Sequence, residues 1–142
     1  MKIEKISDIY EVLKGYTRKK RLVVAFANDS HSIEAVYMAV KAGLVEGILV
    51  GDTETIQGVC KENGYDESCF KIVHEPNDVR GAETAVEMIR NGEADVIMKG
   101  LVSTDKYMRA ILNKERGLVA PNAILSHVVV MECSSYHKLL TV

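Results

Sequence analysis

Long hydrophobic runs are what the sequence most plainly lacks. No apolar stretch approaches the ~20 residues that span a bilayer, and the opening Met1-Lys2-Ile3-Glu4-Lys5 has no apolar core of the signal-peptide kind. The expectation is therefore a cytoplasmic protein with no membrane partner. Cysteine is scarce and odd in number: Cys60, Cys69 and Cys133 form no C-x-x-C pair and have no histidine at ligand spacing, which points to reduced thiols and no structural metal. An excess of basic charge is also missing. Eighteen Lys and Arg against twenty Asp and Glu leave a formal charge of −2, so nucleic acid is not an expected partner. The one basic cluster, Arg18-Lys19-Lys20-Arg21, reads as a solvated entry loop or as an attractor for a phosphate tail. Three signatures are absent as well: G-x-G-x-x-G after the first strand, the P-loop G-x-x-x-x-G-K-[ST], and the nucleophile elbow G-x-S-x-G. Their absence disfavours the usual dinucleotide fold, a P-loop enzyme and an α/β-hydrolase.

What is present is a globular balance, 47% hydrophobic and 27% charged over 142 residues, enough for one ordinary domain with its own core. Ile3, Ile6, Tyr10 and Leu13 share a face of an opening helix that ends near Gly15. Leu22 to Ala27 reads as a strand, Asn28-Asp29-Ser30 as turn and cap, and Ile33, Val36, Tyr37 and Val40 as a helix stopping at Gly43. Gly47 to Val50, the Gly51-Asp52-Thr53 turn and a helix through Ile56, Val59 and Cys60 to Gly64 repeat the unit. Phe70 to Val73, the His74-Glu75-Pro76-Asn77-Asp78 loop and a helix through Ala82, Ala85, Val86 and Ile89 repeat it again. Val96, Ile97 and Met98 suit a strand buried on both faces, followed by a helix through Tyr107, Met108, Ile111 and Leu112. Ala123 to Met131, a polar turn at Ser134-Ser135 and Leu139 to Val142 read as a strand, a turn and the beginning of another strand. Four strand-plus-helix units argue for an α/β fold: a doubly wound, mostly parallel sheet with helices on both faces. The chain stops at Val142 directly after an apolar run, which leads to the expectation of a truncated chain or one module of a longer protein.

The four strand-to-helix turns should share one edge of that sheet, the edge where ligands bind in open parallel folds. The turn Lys99-Gly100-Leu101-Val102-Ser103-Thr104 is chemically the best equipped. A helix start offers unpaired N–H groups and the positive end of its dipole. Lys99 adds a compact cation, Gly100 permits close approach of the backbone, and Ser103 and Thr104 either cap the helix or donate to oxygen. Phosphate or a phosphorylated cofactor suits this set; a plain strand-to-helix loop with a solvated lysine suits it too.

Taken together, Leu49-Val50-Gly51-Asp52, His74-Glu75-Pro76, Ala94 to Thr104, Met108-Arg109 and Leu125-Ser126-His127-Val128 resemble the phosphate acetyl/butyryltransferase family, and within it the butyryl-transferring members. The resemblance runs over nearly the whole chain but covers only half of the family's two-domain fold, which is of the isocitrate/isopropylmalate dehydrogenase-like kind. It implies that residues 1–142 are an amino-terminal α/β domain whose carboxy-terminal half is absent. It further implies acyl transfer, butyryl-CoA plus phosphate to butyryl phosphate plus CoA, with coenzyme A as a substrate, no bound cofactor and no metal. Lys99, Gly100, Ser103, Thr104, Arg109, Ser126 and His127 match the family's substrate-binding positions, whereas the base for the thiol belongs to the half not present. By their residue types alone, Arg109 suits bidentate phosphate binding or an exposed helix surface, His127 a hydrogen-bonded structural role, and Arg80 a surface role. An exposed domain face implies a homo-oligomer. The other readings are a phosphate acetyltransferase, a non-catalytic phosphate- or CoA-binding module, and a metal-dependent dehydrogenase, for which the required carboxylate cluster is not apparent.

Overall fold

Successive residues of a strand point to opposite faces, and in the computed structural model, which describes residues 2–142, this alternation builds two cores. The first strands are β1 (Lys20–Ala25), β2 (Val45–Gly51), β3 (Phe70–His74) and β4 (Val96–Lys99). Val23, Ala25, Ile48 and Val50 face one side and Val24 and Leu49 the other. Helix α1 (Ile6–Lys14) precedes β1, the helices α2 (Ser30–Lys41), α3 (Thr53–Asn63) and α4 (Asp78–Arg90) connect the strands, and α5 (Thr104–Leu112) follows β4. On one side Ile33 and Val36 of α2 and Ile56 and Cys60 of α3 close the core; on the other, Ala82, Ala85 and Val86 of α4 and Ala110 and Ile111 of α5 do so. Side chains such as Ile33, Leu49 and Ile56 are fully buried, so truncating one to alanine costs about 2–5 kcal/mol.

All three pairings in this sheet are parallel, and the strand order is β3-β2-β1-β4. The chain builds outward from β1 to β3 and then returns to the far side of β1. The reversal between β1 and β4 is the switch point at which such sheets open a crevice beyond the carboxyl ends of their strands. Helix starts are capped as the side chains predict: Asp29, Asp52, Asn77 and Ser103 accept from the backbone N–H of Ser32, Thr55, Arg80 and Lys106. Gly64 ends α3 in the left-handed conformation (φ +69°).

Three expectations are corrected. The first strand ends at Ala25, not Ala27, because Phe26 is left-handed (φ +64°) and breaks the extended run. β4 is less buried than expected: it is an edge strand paired only with β1 among the described residues, so Ile97 and Met98, packed against the two cores, are only part-buried and Val96 is 44% exposed. The long apolar run forms a strand only at β5 (Val130–Met131), paired antiparallel with β6 (Leu140–Thr141). Residues 123–128 are exposed, form no regular element and belong to neither core, so nothing pairs with them to complete a ladder. α1 buries no residue either, and it is tied to the terminal hairpin through the Ile6 N–H, which donates to Glu132 Oε2 at 2.9 Å. No described helix is long and apolar enough to cross a membrane.

Candidate functional site

Four turns meet at the carboxyl edge of the sheet, and hydrogen bonds stitch each to the next. Asn28, after β1, accepts through Oδ1 from the Asp52 N–H (2.9 Å), and Gly51 must lack a side chain because a Cβ there would lie 2.3 Å from that oxygen. The Gly51 carbonyl accepts from the Glu75 N–H at 2.8 Å. His74 Nδ1 accepts from the Thr53 N–H (3.3 Å) and lies 3.0 Å from Thr53 Oγ1. Glu75 in turn accepts from the Asn77 N–H (3.1 Å) and pairs with Arg80 at 3.3 Å.

The β4–α5 turn is clamped hardest. The Gly100 N–H donates to the Ala25 carbonyl (3.0 Å) and the Leu101 N–H to the Phe26 carbonyl (2.7 Å). Chain packing is so close that a Cβ on Gly100 would sit 2.3 Å from the Phe26 carbonyl oxygen and 2.8 Å from that of Ala25. The Val102 N–H bends back to the Gly100 carbonyl (2.9 Å), and Val102 is buried beneath the turn. Ser103 spends its hydroxyl on the helix, accepting from the Lys106 N–H at 3.3 Å. Beyond that point the N–H groups of Ser103, Thr104 and Asp105 have no partner among the described hydrogen bonds, as a helix start requires. Lys99 is exposed and enters no ion pair among the described residues, whereas its strand neighbour across the ladder is Ala25. An exposed, unpaired lysine and three N–H groups without partners thus fall within the same strand-to-helix turn, a residue set whose chemistry suits an oxyanion.

The expected site residues divide into three groups. Lys99, Gly100, Ser103 and Thr104 fall in one strand-to-helix turn at the switch point. Arg109 stands two turns into α5, largely exposed, with its Nε donating to Asp105 Oδ1 at 3.2 Å. It lines a groove of about 910 Å³ between α4 and α5, where Arg80 and Arg90 face it across the helix pair. Four cations of this groove are already committed, Arg80 to Glu75, Arg109 to Asp105, Arg90 to the Glu115 carbonyl, and Lys106 to Asp78 at 2.7 Å, whereas the Arg116 side chain has no partner among the described contacts. Ser126 and His127 lie in the exposed segment without regular structure, and no described hydrogen bond links them to the turn.

Two residues that shape the site carry no sequence signal of their own. Phe26 is one; Asp78 is the other, its carboxyl held below the ordinary range chiefly by the hydrogen bond from Lys106, so that the starts of α4 and α5 are pinned together. At the far end of β4, Arg21 holds Asp95 through three hydrogen bonds from its backbone N–H and guanidinium (2.9–3.2 Å), which keeps the Asp95 carboxyl well below the usual carboxylate range. The cysteines are free; burial pushes the Cys60 thiol up, and Ser135 Oγ at 3.1 Å draws the Cys133 thiol down, but neither belongs to the turn.

No family model matches the chain. It is 41% identical over 138 residues to the phosphate butyryltransferase of Clostridium acetobutylicum, across 97% of this chain and 45% of that one. It is 32% identical to the phosphate acetyltransferase of Thermotoga maritima, across 96% of this chain and 45% of that one. Among solved structures, a phosphotransacetylase from Streptococcus pyogenes superposes with a TM-score of 0.68 at 17% identity, covering 96% of this chain and 50% of its own. A branched-chain phosphotransacylase from Enterococcus faecalis V583 does so with a TM-score of 0.63 at 22% identity, covering 86% and 40%. These two share the fold. The chain spans about half the length of the curated relatives it matches.

Proposed function

Because the chain is homologous to the amino-terminal half of phosphate butyryl- and acetyltransferases, we propose that it carries the phosphate side of a cleft in which an acyl group passes between coenzyme A and inorganic phosphate. The observation that supports this most is the clamped Lys99–Ser103 turn at the sheet's switch point, which carries both an unpaired lysine and unpaired N–H groups. In this reading a phosphate oxygen attacks the thioester carbonyl, the C–S bond breaks as the acyl C–O bond forms, and the CoA thiolate leaves and takes up a proton. Lys99 and the α5 start bind and orient the phosphate dianion, which turns a bimolecular encounter into a positioned one. Thr104 donates from its hydroxyl, and Ser103 serves through the helix it caps. Arg109, Ser126 and His127 are proposed on the family resemblance alone, as contacts to substrate when the second half of the cleft closes over this one.

Coenzyme A is a substrate in this account, butyryl the acyl group favoured by the relative at 41% identity, and the protein a cytoplasmic homo-oligomer. The base for the thiol is assigned to the carboxy-terminal half of the cleft and to no residue of this chain. The test joins residues 1–142 to the carboxy-terminal half of the Clostridium acetobutylicum enzyme and follows CoA thiol release from butyryl-CoA and phosphate. The expected result is turnover that falls at least ~100-fold with Lys99→Ala, as for the loss of one preorganised charge donor. A folded chimera whose turnover is indifferent to Lys99→Ala would contradict the assignment.

A further inference from the structure

Nothing in the sequence calls for a left-handed phenylalanine at the end of β1, yet Phe26 has φ +64°. Glycine, asparagine and aspartate accept that region, whereas a bulky aromatic residue there is an outlier that its surroundings must hold in place. The surroundings are specific. The Phe26 ring packs into the α4/α5-side core and against Gly81 of α4, where a Cβ would lie 3.2 Å from the ring. Pairing with β2 resumes immediately, the Ala27 N–H donating to the Val50 carbonyl at 2.7 Å.

The kink has a geometric product. In an extended strand successive carbonyls point to opposite neighbours. Here the Ala25 and Phe26 carbonyls point to the same side, one accepting from Gly100 and the next from Leu101. Two consecutive N–H groups of the β4–α5 turn are thereby tied to β1, and past Val102 those of Ser103 to Asp105 are left without partners among the described hydrogen bonds. We propose that Phe26 is the positioning residue of the anion-binding turn, acting through its left-handed backbone and not through contact with the ligand. This rests on the phosphate reading of the Lys99 turn.

The test separates backbone from ring. Inorganic phosphate binding to the 142-residue chain is measured by calorimetry for wild type, Phe26→Ala, Phe26→Gly, Phe26→Leu and Lys99→Ala, with the thermal midpoint of each. Alanine and glycine both lose the ring, but only glycine adopts the kink without cost. The Phe26→Ala chain is expected to bind phosphate about fivefold or more weakly than Phe26→Gly, the factor set by the penalty of a left-handed L-residue. Phe26→Leu, which keeps apolar volume against Gly81, should restore affinity to near wild type. A purely structural role would lower the midpoints and leave alanine and glycine with equal affinity, and that equality overturns the proposal. Should Phe26→Ala fail to fold, Phe26→Asn takes its place beside Phe26→Val: asparagine tolerates the left-handed region and valine resists it, so asparagine must bind more tightly. Lys99→Ala is expected to weaken binding on the order of tenfold. If it does while the Phe26 variants bind alike, only the Phe26 proposal fails; if wild type binds no phosphate, the reading of the turn fails and takes the proposal with it.

Discussion

Gly100 has no room for a side chain, and Gly58 in the middle of α3 has nothing within 4 Å of where one would go. The two glycines therefore predict opposite outcomes for the same substitution. Gly100→Ala must push the Phe26 and Ala25 carbonyls aside, which costs about 1–3 kcal/mol and disturbs the turn proposed to hold phosphate. Gly58→Ala removes unfolded-chain entropy in a helix interior and should stabilise by about 0.5–1 kcal/mol. Urea unfolding of both variants checks the pair, and a Gly100→Ala chain as stable as wild type would contradict the close packing. Lys99 and Gly100 are legible in the sequence because a lysine and a glycine set between an apolar run and a helical period mark the turn by residue type alone. Phe26 is not: its residue type argues for continuing the strand, and only the Ala25 and Phe26 carbonyls, accepting from Gly100 and Leu101, reveal why it does not.

β4 is short and lies at an edge, so its register depends on what holds its two ends. The Gly100 and Leu101 N–H groups hold one; Asp95 holds the other through Arg21. The folded Asp95 carboxyl titrates below its unfolded value, so its contribution is fully present above the unfolded pKa of about 3.9 and is lost as pH falls through the folded one. Asp95→Asn should lower the thermal midpoint at pH 7, and the gap to wild type should shrink as pH is lowered from about 4 towards 2. A gap that stays constant across that range would mean the charge of Asp95 is not what pins the strand. At the start of α5, Ser103→Ala should cost about 0.5–1 kcal/mol, near the low end for a cap because the bond is long and exposed. Elements with period and caps are legible to within a few residues: Asp52 and Gly64 bracket α3, and Asn77 opens α4. The run from Ala123 to Met131 misleads in extent because apolar composition promises burial, and burial needs a partner layer that residues 123–128 do not have.

The doubly wound sheet, its two covered faces and the shared edge of its turns all follow from the repeated strand-helix rhythm; the strand order, and with it the switch point beside Lys99, does not. Periodicity says which residues are apolar together but not on which side of β1 the fourth strand returns. The parts outside the sheet remain the most apolar surface: Ile3, Tyr10 and Tyr16 around α1, and Ile124, Val128 and Val142 around the hairpin, are each between 45% and 90% exposed. Surface of this kind favours association. Light scattering should give a mass above the 15.7 kDa of one chain, and replacing Tyr10 and Leu13 with glutamate should lower it; a monomer at high concentration would contradict the homo-oligomer proposal. The central claim is that the start of α5, beside Lys99, is where this chain holds an oxyanion. The most direct measurement is amide NMR of the 142-residue chain titrated with inorganic phosphate. The account predicts that the signals of Ser103, Thr104 and Asp105 move together and saturate, and that Lys99→Ala weakens the response. Shifts confined to Arg80, Arg90 and Arg116 in the α4/α5 groove, or none at all, would contradict it.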